Sequence, residues 1–196
     1  GVMLGPRGAI VVDEYMSTGV PHVWAAGDRV VTRHRLLRHS YIPLGTTAHM
    51  QGRVAGENML GGRRSFAGSL GTQVVKVFDL AAARTGLRDE EARAAGADPL
   101  TVASAADDHK AYYPGARRIH MLWTADTRSR RLLGVQMIGH TNAAIAKRID
   151  IAAAAIHHGM TVDAISDLDL SYTPPLGSPW DAVQLGAQAW ERTAPQ

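Results

Sequence analysis

The stretch "GGRRSFAGS", residues 61–69, divides this chain into two halves with different hydrophobic patterns. Ahead of it, short unbroken apolar runs stand between turn signals, the pattern of strands in a sheet covered on both faces. Behind it, strand-like runs are followed by helical spacing, which implies sheet and helices packed as separate layers. The expected organisation is therefore residues 1–62, a linker at 63–71, and a second domain over 72–196.

In the first half, Ala9–Val12 and His22–Ala26 have strand composition, and "STGVP" between them carries the glycine and proline of a turn. The second strand runs straight into Gly27 and a bare carboxylate, Asp28. "PLGTTAHMQGRVAGENMLGG" then predicts a helix of about 13 residues, with Thr46 or Thr47 as N-cap and Gly61 just past its end. Gly52 and Gly56 lie four apart on one face of that helix. Each costs about 1 kcal/mol against alanine, so a backbone or ligand is expected to approach that side.

In the second half, "GTQVVKVF" (71–78), "RRIHMLWTA" (117–125) and "RLLGVQMIG" (131–139) read as strands. The short polar "DTRSR" makes the last two an antiparallel hairpin. Over 142–158, Ile145, Ile149, Ala152 and Ile156 recur at helical spacing, with Lys147, Arg148 and Asp150 assigned to the other side. Thr161 opens a short helix through Ile165. The fold class is α/β in the first part and α+β in the second.

Among the 196 residues there is no cysteine. That excludes disulfides, thiolate metal sites and a thiol nucleophile from this chain. The nine histidines lack metal-ligand spacing, and no metal is expected. No apolar run approaches the roughly 18 residues of a membrane span, and no signal peptide opens the chain, so a cytoplasmic protein without a membrane partner is expected. The net charge is +3, and the one dense basic cluster is Arg29, Arg33, Arg35 and Arg38 with His34 and His39. It reads as a solvated loop or a phosphate-binding one. No nucleic-acid module accompanies it, and no nucleic-acid partner is expected.

The ordered set "TGVPHVWAAGD", "PLGTTAHMQGRVAGEN", "KAYYPGA" and "KRIDIAAAAIHHGMTVDAISDLDLSYTPPLGSPWD" resembles the FAD-dependent pyridine nucleotide-disulfide oxidoreductases. Within them it is most similar to the branch of coenzyme A-disulfide reductases, NADH oxidases, NADH peroxidases and persulfide reductases. The resemblance spans about residues 5 to 188. It implies the C-terminal piece of a Rossmann-like FAD-binding domain, followed by an antiparallel-sheet-plus-helices dimerisation domain. By it, Gly27 and Asp28 meet the flavin's ribityl chain, and the backbone at Thr46, Thr47 and Ala48 faces the flavin ring. Tyr113 (or its neighbour Tyr112) and Tyr172 reach the partner subunit's active site, or serve as ordinary interface aromatics.

The implied cofactors are FAD and NADH or NADPH. The implied partners are a second copy in a homodimer and a small-molecule disulfide, persulfide or oxygen as acceptor. "LSYTPPLGSPWD" has no histidine, so an acid–base couple of the glutathione-reductase type is not supported. The redox cysteine and both glycine-rich dinucleotide fingerprints are missing. The expectation is thus a C-terminal portion of a protein more than twice as long, inactive alone. A dimerisation module without redox function is the other reading.

Overall fold

The computed structural model describes residues 1–195, in two compact units that meet in sequence at Gly71 and Thr72. The first unit has one regular element, α1 (Gly45–Met59). Its stripe of Thr47, Gln51, Val54, Ala55 and Asn58 is buried, at the spacing of a single helix face. Val54 and Ala55 join Met16 and Phe66 in a core, with Val12, Trp24 and Ala26 packed against it. Phe66 draws residues 63–71 onto this unit, its N–H bonding to the Glu14 carbonyl at 2.7 Å. Asn58 fastens the same stretch by exchanging hydrogen bonds with the Arg64 backbone at 2.8 Å.

The two expected strands of this unit form only single bridges, Ile10 with Val30 and Leu4, and Ser17 with Trp24. Turns at Pro6–Gly8 and Gly27 interrupt the pairing on either side before a ladder can extend. Trp24–Ala26 are half-buried, so nothing in this unit covers both faces of that segment. The cap of α1 also differs from expectation. Leu44 stands at the N-cap without a side-chain bond, while the Thr47 hydroxyl pairs with Ser69 Oγ at 2.9 Å. A Cβ on Gly52 or Gly56 would meet nothing within 4 Å among the described residues, so no close approach to that face is seen.

The second unit is a five-stranded antiparallel sheet in the order β1-β2-β5-β4-β3. The strands are β1 (Gln73–Val77), β2 (Leu80–Gly86), β3 (Pro99–Asp107), β4 (Arg118–Asp126) and β5 (Leu132–His140). A short helix α2 (Asp89–Ala94) joins β2 to β3. Three helices follow β5: α3 (Ile145–His157), α4 (Val162–Ser166) and α5 (Ala182–Thr193). Alternation in β4 buries Ile119, Met121 and Trp123 and exposes His120 and Leu122. The buried set packs with Ile145, Ile149, Val183, Ala187 and Trp190 from the helices, all at most 1% exposed. Full burial of each large aliphatic side chain contributes about 1.5–3 kcal/mol.

Trp190 satisfies its indole N–H on the Leu100 carbonyl at 2.8 Å, tying α5 to β3. The helix expected over 142–158 is broken at its start. Thr141–Ala143 form a single 3-10 turn, Ala144 adopts a left-handed conformation (φ 51°), and α3 begins at Ile145. Thr161 caps α4 by accepting from Ala164 N–H.

One expectation about α3 is overturned. Arg148 is not on the solvent side with Lys147 and Asp150 but 6% exposed beside Ile145, Ile149 and Ala152. It lies three positions from Ile145 and four from Ala152, which is the buried face. Its charge is tolerated there because every guanidinium nitrogen has a partner among Asp181, Ala143 and Asp108.

Candidate functional site

Chemistry-bearing residues gather in two places, one in each unit. In the first unit the segment Val23–Ala26 ends on Gly27, which has φ +86°, a conformation that L side chains rarely adopt. Val30 N–H closes the following turn on the Gly27 carbonyl at 3.2 Å. The Gly27 N–H donates to Gln51 Oε1 at 2.9 Å, and Gln51 Nε2 donates to Thr32 Oγ1 at 3.2 Å. A Cβ built on Gly27 would sit 3.6 Å from Ala48 Cβ. The structure thus brings Gly27 beside the first turn of α1, where Thr46, Thr47 and Ala48 lie.

Ala48 makes the first N–H···O bond of α1, to Leu44 at 2.9 Å. The N–H groups ahead of it have no intrahelical acceptor and form the positive end of the helix dipole. Asp28, next to Gly27, is exposed and its carboxylate meets no side chain or amide among the described residues. Thr46 is exposed and Thr47 is buried against Ser69. Of these residues Thr46 and Asp28 are thus exposed, while Thr47 is buried and Ala48 half-buried.

The basic loop that follows is partly structural. His34 is buried, its Nδ1 accepting from Leu36 and Leu37 N–H at 3.1 Å. Arg35 donates to the Ala67 carbonyl at 2.9 Å. Arg29, Arg33 and Arg38 remain exposed.

In the second unit two loops carry the tyrosines. Asp108 closes the base of loop 108–117: its N–H bonds to the Arg117 carbonyl at 3.0 Å and its Oδ1 accepts Arg117 N–H at 2.7 Å. The loop ahead of α5 carries Tyr172, and the two loops touch through Lys110 N–H on the Pro174 carbonyl at 3.3 Å. Tyr112, not Tyr113, is the phenol that the Tyr172 side chain perturbs. The Tyr113 ring lies tilted against Tyr112, with centroids 5.6 Å apart at 51°. Lost hydration, then the nearby Tyr172 phenol, holds the Tyr112 phenol above its usual range, against the opposing charge of Lys110. All three rings are exposed.

Among the described residues no three His, Asp or Glu side chains converge as a metal site. No helix there is long and apolar enough to cross a membrane.

The family model described as "Pyridine nucleotide-disulphide oxidoreductase, dimerisation domain" matches residues 72–182, more than half of the chain. The chain belongs to the pyridine nucleotide-disulphide oxidoreductases. A second model of that family matches residues 1–52. The NAD(P)H sulfur oxidoreductase (CoA-dependent) of Pyrococcus furiosus is 41% identical over 93% of this chain and 41% of its own length. The coenzyme A disulfide reductase of Staphylococcus haemolyticus is 31% identical over 94% of this chain and 41% of its own length. A solved NAD-dependent persulfide reductase from A. fulgidus superposes with a TM-score of 0.93 at 39% identity, covering 98% of this chain and 36% of that one. The chain spans about two fifths of the length of the curated relatives it matches.

Membership explains the two-unit architecture, a mixed first segment followed by a sheet-and-helix dimerisation domain. Sequence reasoning missed Gln51, which fixes the Gly27 turn, although its place on the stripe of Thr47, Val54 and Ala55 marked it as inward-facing. It missed the Arg148–Asp181 pair for the related reason that charged residues on α3 were assigned together to the solvent side.

Proposed function

We propose that this chain is the C-terminal part of a homodimeric flavoprotein that moves electrons from NADH or NADPH to a small disulfide or persulfide. In this reading the first unit supplies one wall of the FAD site and the second the subunit interface. Bound there, FAD would supply the redox chemistry, accepting a hydride from the nicotinamide and delivering electrons to the acceptor. The observation that carries the reading is the seating of the Gly27 turn against the start of α1, with an unengaged carboxylate at Asp28.

Each part has a task that its chemistry suits. Gly27 leaves room where a side chain would project beside Ala48. Asp28 offers an acceptor for ribityl hydroxyls, and a carboxylate accepts such bonds without needing to donate. The unpaired N–H groups of Thr46 and Thr47, in the turn that Ala48 closes, face electron density with the positive end of the helix. Tyr112, Tyr113 and Tyr172 present neutral phenols that donate to a sulfur-bound acceptor in the partner subunit's site.

The names of the relatives favour sulfur acceptors, and oxygen stays as a second acceptor. The absence of cysteine from this chain places the nucleophile elsewhere, so the chain alone is inactive in this reading. Its place of work is the cytoplasm. A dimerisation module without redox function is the competing reading, since the second unit holds a buried core of its own. The test is NAD(P)H consumption by the full-length flavoprotein with coenzyme A disulfide or a persulfide. Turnover that falls in Tyr172→Phe supports the reading, and a colourless dimer without turnover rejects it.

A further inference from the structure

The Arg148 guanidinium touches the roots of both tyrosine loops. Its NH2 donates to Asp181 Oδ2 at 2.8 Å and to the Asp108 carbonyl at 2.7 Å. Its Nε lies 3.2 and 3.1 Å from the two Asp181 oxygens, and its NH1 donates to the Ala143 carbonyl. The side chains of Arg148 and Asp181 are only 7% and 15% exposed.

Both acceptors are structural corners. Asp108 closes loop 108–117, which carries Tyr112. Asp181 follows the loop that carries Tyr172 and caps α5 by accepting from Val183 N–H at 3.0 Å. The far end of that second loop is held independently, because the buried Gln184 donates to the Ser166 and Leu168 carbonyls at 3.0 and 2.8 Å.

Stability does not account for such a residue. A buried ion pair contributes little that a well-packed apolar side chain would not, because desolvation offsets the attraction. What an apolar side chain or a lysine lacks is the planar fork with five fixed donors, which can hold several acceptors in one geometry. Here the fork joins the end of β3, the start of α3 and the N-cap of α5.

We propose that Arg148 is the positioning residue of the Tyr112–Tyr172 pair: by gripping Asp108 and Asp181 together it sets the separation of the two loops, and so holds the phenols beside each other. The joining of the two loops stands on the Arg148 bonds and on Lys110 N–H at the Pro174 carbonyl. Its consequence for turnover rests on the proposed role of the tyrosines toward a sulfur acceptor.

The experiment uses the full-length dimer with 3-fluorotyrosine at position 112, read by fluorine NMR. With Arg148 present, Tyr172→Phe shifts the fluorine resonance, because the phenol contact is lost. In Arg148→Lys, and in Asp181→Asn as a second, shape-conserving variant, the same Tyr172→Phe change is expected to leave the resonance unmoved. A shift of undiminished size in both variants overturns the proposal.

In stopped-flow assays, Arg148→Lys is expected to slow the acceptor half-reaction roughly 10- to 100-fold, the range for a misplaced group near 1 Å off. Reduction of the flavin by NAD(P)H should be unchanged. The loss should vanish in a Tyr172→Phe background, as coupled residues are non-additive. An equal loss in both backgrounds marks a merely structural role and overturns the proposal. Loss of the fluorine contact with acceptor rates untouched, in Tyr172→Phe as well, upholds the positioning and rejects instead the proposed role of the tyrosines.

Discussion

The N–H of Gly27 donates to the side chain of Gln51 at 2.9 Å, so the turn that carries Asp28 is registered on α1 by one buried amide. Gln51 is fully buried and spends its other end on Thr32. Gln51→Met keeps the volume but strands the Gly27 N–H and the Thr32 hydroxyl. The expected cost is about 1–3 kcal/mol, the penalty for buried polar groups without partners. Urea unfolding should show a lower midpoint with unchanged slope, and an unchanged midpoint would remove Gln51 from its anchoring role.

The second unit is sensitive at one close approach between layers. A Cβ on Gly186 of α5 would lie 2.0 Å from Trp123 Nε1 on β4, both residues being buried in the core. Gly186→Ala therefore gains helix propensity but forces α5 off the sheet. Overpacking of this kind costs about 1–3 kcal/mol or more, and Tm should fall by several degrees. A Tm at or above that of the parent would mean that α5 shifts without loss.

Acid should weaken the β4–β5 connection. Burial pushes the Asp126 carboxyl up, but the Ser129 hydroxyl, the Asp98 and Ser129 amides and Arg128 together bring it below its ordinary value. Asp163 is likewise lowered, chiefly by its bond to Arg130 and against the effect of burial. Carboxyls depressed in the folded state contribute stability that is present above their unfolded pKa of about 4 and lost as pH falls through the lower folded values. Stability measured from pH 6 to pH 2 should drop below about 4. Asp126→Asn should be less stable at pH 6 and show a shallower drop. A parallel curve would place the acid sensitivity elsewhere.

The first unit's exposed Arg29, Arg33 and Arg38 suit a phosphate-bearing acceptor, whereas Arg35 is held on the Ala67 carbonyl. In the full-length enzyme, Arg33→Ser with Arg38→Ser should raise KM for coenzyme A disulfide several-fold at low salt, and less at high salt, since screening shortens the reach of exposed charges. The kcat should hold. An unchanged KM at low salt would return the loop to a solvated surface.

Much of this architecture was legible because periodicity reports burial. The strand-like runs 117–125 and 131–139 became β4 and β5, and the spacing of Ile145, Ile149, Ala152 and Ile156 became the buried face of α3. What escaped depended on long-range partners. Thr47 looked like an N-cap, yet its hydroxyl found Ser69, 22 positions away. Arg148 looked like a solvent-facing charge, yet Asp181 lies 33 positions on. The strands of the first half were overstated for the opposite reason: composition favours extension, but a ladder also needs neighbours, and there each pairing stops after one bridge. β2 and β3, alanine-rich and ending on glycine and aspartate, carried too little β-branched content to stand out.

The central claim is that the Gly27–Asp28 turn and the start of α1 form one wall of a flavin site. Its most direct test is the FAD dissociation constant of the full-length protein with and without Asp28→Ala, read from flavin fluorescence. A hydrogen bond to a charged group is worth about 1.5–3 kcal/mol, so the account predicts FAD binding about 10- to 100-fold weaker in the variant with the fold intact. An unchanged dissociation constant would contradict it, leaving Asp28 as an exposed turn residue with no part in holding the cofactor.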